Sequence, residues 1–305
     1  MLEPVVIALR LAQYVGAAIL FGSALFALFA LPAGVVRAGW PRTLLAAAAG
    51  LLTLSTVAGV VAQTAMMAGS WSQGLNVSAL SFVVTETGLG RAGAARAILA
   101  LVALGVLLAR RPARPDLIGI VALGGLACVS LAWMGHGAAT EGPGARLHLL
   151  SDILHVLAAG VWIGALVGFL ALFHRRETTA EATAIQLGAL EGFAGVGSVL
   201  VAVLVATGLV NSWFLVGPTR LQGLWTTPYG QLLLLKLALF AGMLAFAAAN
   251  RFRLTPALAA AQRRGAATGH AVTRLCRSLA LETAVAFAIL LVVAWLGTLA
   301  PVSAA

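Results

Sequence analysis

The chain has 305 residues, of which 61% are hydrophobic and 9% are charged. Soluble domains carry about 25% charged residues, so this composition excludes an ordinary water-facing surface. The net charge of +10 suggests nucleic acid in a soluble protein, but no basic patch is interleaved with aromatic residues here, so we expect no nucleic-acid partner.

The apolar runs are the dominant pattern of the chain. Several exceed the roughly 20 residues that cross a bilayer, and alternating strands of about 10 residues do not occur. The sequence therefore predicts an all-α fold, a polytopic membrane helix bundle with eight transmembrane helices in a single domain of residues 1–305. The first apolar run is too long for a cleaved signal peptide, so we expect it to be retained. The eight predicted helices cover approximately residues 4–31, 43–68, 91–109, 117–134, 147–172, 185–215, 230–249 and 278–299.

The arginines predict the orientation. Loops after the first, third, fifth and seventh predicted helices hold 13 of the 18 arginines. Short loops rich in arginine stay in the cytoplasm, so both termini are predicted to face the periplasm of a bacterial inner membrane. These arginines are Arg37, Arg42, Arg110, Arg111, Arg114, Arg175, Arg176, Arg251, Arg253, Arg263, Arg264, Arg274 and Arg277.

The fifth predicted helix carries the densest group of ionisable residues. His148, Asp152 and His155 are spaced i, i+4 and i+7, which places them within about 60° on one face of a helix. Trp162 continues this face. Ionisable residues inside a membrane are costly and point to function, although a histidine can also serve only to hydrogen-bond a neighbouring helix. Glycines at 160, 164 and 168 form a double GxxxG pattern on the opposite face, which predicts close packing against another helix.

Further candidate ligands end two other predicted helices at the same level. Met134 and His136 follow the fourth helix, and Met66 and Met67 end the second. Imidazole suits copper, zinc or iron, whereas a thioether selects Cu(I). The sequence therefore predicts a copper site of His136, His148, His155, Asp152 and Met134, with Asp152 either a ligand or a group that orients a histidine.

Other polar residues are predicted to line the transport path. Asn211 ends the sixth helix, and Lys236 is predicted either to extend toward the interface or to pair with Glu86 or Asp152. Met66, Met67, Glu86 and Trp162 complete this predicted path. Glu191 and Glu282 lie toward the cytoplasmic side, where we expect them to pair with nearby arginines, with a proton or ion step as the alternative.

At these residues the chain resembles the CopD family of bacterial copper-resistance membrane proteins. The stretches that carry the resemblance are Gly135-His136-Gly137, Leu147-His148, Asp152 to Gly164, Thr207-Gly208 to Asn211, Thr227 to Lys236, and Asn250 to Pro256. One departure is Gln13-Tyr14 in the first helix, where a histidine is expected in some relatives, so this helix supplies no such ligand here.

The resemblance implies copper transport from periplasm to cytoplasm, with a separate periplasmic CopC-type copper carrier as partner. Two alternatives stay open. Paired intramembrane histidines can ligate haem b, which would make the chain a haem- or quinone-linked metal reductase. A non-enzymatic docking partner for a periplasmic copper chaperone is the other. The sequence has no nucleotide-binding loop, so we expect no ATP-driven pumping.

Overall fold

The computed structural model describes residues 2–37, 39–174 and 179–304. Within these ranges, eight helices are long and apolar enough to cross a membrane, and no strand occurs, which confirms the predicted all-α bundle. The helices are α1 (Leu2–Ala30), α2 (Trp40–Ala68), α3 (Gly88–Ala109), α4 (Arg114–Met134), α5 (Ala145–His174), α6 (Ala180–Leu215), α7 (Pro228–Arg263) and α8 (Gly269–Leu296).

Several helices begin before their apolar run because a threonine caps them. The hydroxyl groups of Thr87, Thr179 and Thr227 accept hydrogen bonds from backbone N–H groups in the first turns of α3, α6 and α7. A side-chain oxygen at this position satisfies an N–H group that has no partner inside the helix. Helix α6 therefore starts at Ala180, five residues ahead of the predicted start.

Helix α7 continues well past residue 249, where its predicted end lies. A π-helical turn at Asn250–Leu254 joins the apolar part to a further segment, Thr255–Arg263. Pro256 lies in the first turn of that segment, where a missing N–H group costs little. The proline that suggests a break in the sequence is thus accommodated at a new helix start.

Helix α5 is the centre of the bundle. It packs against α1, α4, α6 and α8, and 67% of its most apolar segment is buried, compared with 11% for α7. The glycine face of α5 meets α1 at a second π-helical turn, Ile19–Ser23, where the Ser23 hydroxyl donates to the Gly164 carbonyl at 2.7 Å. The predicted close packing at the GxxxG pattern is therefore made with α1.

Shorter helices lie between the spans and after the last one. They are Ala33–Arg37, Trp71–Gly74, Val77–Glu86, Gly137–Ala139, Gly223–Thr226 and Val302–Ala304. Loop 135–144 and the start of α5 form what we call the histidine end of the bundle, and residues 110–114 and 250–277 form the arginine end. Arg175 and Arg176 lie outside the described residues, as does the side chain of Arg37.

Candidate metal site

His148 is closely packed and hydrogen-bonded at the start of α5. It is 1% exposed, and its ring stacks on Phe214 of α6 with centroids 4.7 Å apart and planes 7° from parallel. Its Nδ1 lies 2.7 Å from Thr140 Oγ1, and the same hydroxyl lies 3.2 Å from the His136 carbonyl. When the hydroxyl donates to that carbonyl, the His148 Nδ1 is the donor to Thr140 and the Nε2 atom carries the lone pair.

The same arrangement recurs at His155, two turns deeper in α5. Its Nδ1 lies 2.9 Å from Thr207 Oγ1 on α6. The Thr207 hydroxyl donates to the Val203 carbonyl at 2.6 Å, so the ring must donate to Thr207. The Nε2 atom of His155 is again left with a free lone pair. An N–H group anchored in this way is the usual support of a metal-ligating histidine.

His136 lies in the loop between α4 and α5. Its Nε2 is 3.0 Å from the Leu299 carbonyl, which can only accept, so this nitrogen is the donor and Nδ1 carries the free lone pair. The ring meets Tyr229 of α7 edge to face at 5.8 Å. Burial, together with the nearby charge of Arg10, lowers the pKa of His136. The imidazole is thus kept neutral, as metal ligation requires.

Asp152 lies beneath the loop that carries His136. A Cβ atom at Gly137 would lie 2.9 Å from the Asp152 Oδ2, so glycine is needed for this close approach. The carboxylate is half-buried, and no hydrogen bond to it occurs within the described residues. Its oxygens are therefore available to a cation or to a water molecule.

Lys236 of α7 supplies a positive charge near this carboxylate. It is close enough to interact electrostatically with both Asp152 and His155. No ion pair within 4.0 Å joins Lys236 to Asp152 or to Glu86, although all three residues are described. The predicted direct pairing is thus absent, and Glu86 is exposed at the end of the helix Val77–Glu86.

Met134 has a different environment from the histidines. Its sulfur accepts a hydrogen bond from Nη1 of Arg96, and its carbonyl accepts one from Nη2 of Arg10 at 2.5 Å. Arg96 is 1% exposed and also binds the Ser130 hydroxyl and carbonyl and the Gln13 amide oxygen. A guanidinium group at the sulfur disfavours a second cation there.

The remaining residues of the predicted path are spread along the bundle. Met66 and Met67 end α2 with 38% and 59% of their surface exposed. The Oδ1 atom of Asn211 is buried and has no hydrogen-bond partner. Trp162 is buried, and its indole N–H donates to Glu282 of α8, nearer the arginine end. Across the described ranges, no three His, Cys, Asp or Glu side chains already converge as a metal site.

A second polar group lies nearer the arginine end and was not predicted. Glu282 of α8 accepts hydrogen bonds from Trp162 Nε1 at 3.1 Å and from Asn250 Nδ2 at 2.7 Å. Among the described residues it makes no ion pair, so the expected pairing with an arginine is not found there. These three residues line a cavity of about 580 Å³. The sequence could not show that α5, α7 and α8 meet here.

Two family models match the chain. The model described as copper resistance protein D-like, N-terminal domain, matches residues 1–147, and the model described as copper resistance protein D matches residues 187–296. No solved structure gives a significant match.

Three relatives are similar to the chain. The copper resistance protein D of Pseudomonas syringae pv. tomato is 40% identical over 305 residues, covering 98% of this chain and 97% of the relative. The inner membrane protein YebZ of Escherichia coli K12 is 29% identical over 298 residues, which is 97% of this chain and 98% of the relative. The copper transport protein CutJ of Bacillus subtilis is 29% identical over 163 residues, covering 53% of this chain and 27% of that protein.

Proposed function

Because the chain belongs to the copper resistance protein D family, we propose that it transports copper from the periplasm to the cytoplasm. It is a multi-pass inner-membrane protein, so its cargo must cross the bundle of eight helices. In this topology the histidine end faces the periplasm and the arginine end faces the cytoplasm. The resemblance found in the sequence supports the direction of transport.

The proposal rests mainly on one feature that the three histidines have in common, namely that each ring is hydrogen-bonded through one of its two nitrogens. His136 and His155 each donate one ring N–H group to a protein oxygen, and His148 is anchored to Thr140 through its Nδ1 atom. A neutral imidazole that is anchored through one nitrogen can present the lone pair of the other nitrogen to a metal ion. Three such rings, with Asp152 among them, suit a soft or borderline cation.

The cation is bound in stages rather than in a closed cage. We place entry at His136 and His148, and the next site at Asp152 and His155, about 10 Å deeper along α5 than His148. A transport site must release its ion as well as bind it, so few ligands at each stage are an advantage. Met134 would join the entry site only after its sulfur leaves Arg96.

Delivery of copper to the histidine end is the role of the proposed partner. Met66 and Met67 are exposed at this end, where their thioethers can accept Cu(I) from a periplasmic CopC-type carrier. In this proposal the chain is a transporter and not an enzyme, and copper is its substrate. Titration of the carrier against detergent-solubilised protein tests the docking, with Met66→Leu and Met67→Leu as the variants expected to slow copper transfer.

Copper uptake into proteoliposomes tests the function. We expect His148→Ala and His155→Ala to reduce uptake by about tenfold or more, as is usual when the ligand shell of a metal is disturbed. His270→Ala is the matched control, since His270 is exposed near the arginine end and should be replaceable without loss of copper uptake.

Wild-type vesicles that bind the carrier but show no copper flux would indicate a docking protein. An absorption spectrum with a Soret band would favour the haem-linked reductase instead.

A further inference from the structure

The cavity between α5, α6, α7 and α8 contains a buried carboxylate that the proposed copper path does not use. It has a volume of about 580 Å³, and Glu282, which is 2% exposed, lies in its wall. Glu191, Arg251 and Arg263 also line the cavity and are exposed, so the cavity opens at the arginine end. Water can therefore reach Glu282 from that end.

We propose that Glu282 is a proton-exchange site, which binds and releases a proton from the arginine-end cavity as the copper ion passes. Both carboxylate oxygens accept hydrogen bonds from neutral donors, Trp162 Nε1 and Asn250 Nδ2. No cationic group lies within 4.0 Å of the carboxylate among the described residues. A negative charge inside a membrane protein with no partner is costly, and uptake of a proton removes that cost.

Asn250 gives the site two hydrogen-bonded states. It is 6% exposed, and its buried Oδ1 atom has no hydrogen-bond partner in the part of the chain that the structure describes, while its Nδ2 donates to Glu282. A 180° rotation of the Asn250 amide group exchanges the positions of Oδ1 and Nδ2. The oxygen can then accept a hydrogen bond from the protonated Glu282. The unpartnered oxygen thus has a role in the state that carries the proton.

The backbone around Asn250 supports a functional role. Asn250 begins the π-helical turn Asn250–Leu254, and π-helical turns are frequent at functional sites. The turn aims Asn250 at α8, while Arg251, the next residue, donates to the Ala194 carbonyl of α6 at 3.0 Å and contacts the Ser198 hydroxyl. The arginine is therefore held away from Glu282 even though it directly follows Asn250, which donates to that carboxylate.

A metal ion is a poorer occupant of this site than a proton. Glu282, Asn250 and Trp162 offer one carboxylate, one amide oxygen and no free nitrogen or sulfur ligand. Copper prefers imidazole and sulfur ligands, which the arginine-end cavity lacks. The other charged groups that line it are Glu191 of α6 and Arg251 and Arg263 of α7, and all three are exposed.

The geometry of α5 connects this site to the histidines. Trp162 follows His155 by seven residues, which places it on the same face about 10 Å nearer the arginine end. The indole N–H of Trp162 donates to Glu282. A cation that reaches His155 is therefore separated from this carboxylate by the two turns of α5 between His155 and Trp162. The arrival of one positive charge favours release of the proton from Glu282 into the cavity. This coupling rests on the proposed copper transport, whereas proton binding by Glu282 does not.

Infrared spectroscopy of the purified full-length protein tests proton binding without copper. At neutral pH we expect a protonated-carboxyl band in the wild type and in Glu191→Gln, and no such band in Glu282→Gln. Trp162→Phe keeps the carboxyl group but removes a hydrogen-bond donor, so the band should shift in frequency. The Trp162→Phe variant provides a second, independent test if Glu282→Gln proves unstable. A band that is unchanged in both Glu282→Gln and Trp162→Phe would overturn the assignment.

Proteoliposomes that contain a pH-sensitive dye test the coupling. Copper addition should move protons in the wild type and in Glu191→Gln, whereas Glu282→Gln should lose the proton signal. An equal proton signal in Glu282→Gln would contradict the coupling. If wild-type vesicles show no copper flux at all, the transport function fails, while the infrared band still decides whether Glu282 binds a proton.

Discussion

Gly22 of α1 and Gly164 of α5 touch through their backbones. A Cβ atom at Gly164 would overlap with the Cα atom of Gly22, and one at Gly22 would overlap with the Gly160 carbonyl. The contact lies where the π-helical turn Ile19–Ser23 widens α1. This crossing fixes the glycine face of α5 and so directs its opposite face, with His148 and His155, toward α6.

Gly164→Ala should therefore separate two helices at the centre of the bundle. We expect the free energy of unfolding to fall by about 1–3 kcal/mol, because overpacking forces backbone shifts. The measurement is the thermal unfolding midpoint in detergent. Gly105→Ala is the matched control, since nothing lies within 4 Å of the added methyl group and alanine favours a helix. Equal midpoints for the two variants would show that the crossing tolerates separation.

The sequence predicted those features that depend on one helix at a time. Apolar runs predicted the eight helices, the motifs predicted the family, and helical spacing predicted that His148, Asp152 and His155 share a face. The partners of these residues come from other helices. Thr207 for His155 and Glu282 for Trp162 depend on which helices pack together, and periodicity carries no such information. The predicted end of the seventh helix at residue 249 is too early, because the π-helical turn Asn250–Leu254 carries the helix on to Arg263.

Arg96 holds together the end of α4, next to the loop that carries His136. Its guanidinium group binds Ser130, Gln13 and Met134, while the residue is 1% exposed. Arg96→Lys keeps the charge but cannot reach all of these acceptors, and hydrogen bonds to charged groups are worth about 1.5–3 kcal/mol each.

We therefore expect Arg96→Lys to lower stability by about 3 kcal/mol and to weaken copper binding through the displaced loop. Thermal unfolding and copper titration on the same preparation measure both effects. Arg91→Lys, on the same helix, is the control, because Arg91 is exposed and donates to a single carbonyl, that of Thr85. If Arg96→Lys matched this control, the hydrogen bonds of Arg96 would have no structural importance.

Thr207→Val removes the hydroxyl that orients His155 and keeps the side-chain volume. Without this acceptor the ring can rotate or change tautomer, and loss of such a support typically lowers metal affinity by about 10–100-fold. We expect a decrease of this size in equilibrium copper binding. Thr53→Val is the control, since the Thr53 hydroxyl binds only the Ala49 carbonyl of its own helix. Unchanged affinity in Thr207→Val would argue that His155 is not a ligand.

Lys236 is the only lysine in the chain, and it lies near both Asp152 and His155. When it carries its proton, it repels a copper ion bound at these residues. Asp152 offsets part of this repulsion, so we expect Lys236→Met to bind copper about tenfold more tightly, which corresponds to about 1.4 kcal/mol. Tighter binding should slow release of the copper ion, so uptake into vesicles should fall while affinity rises.

Lys236→Arg keeps the charge and should leave the copper affinity near that of the wild type. Weaker binding in Lys236→Met would mean that the lysine organises the ligands instead of lowering their affinity for the ion.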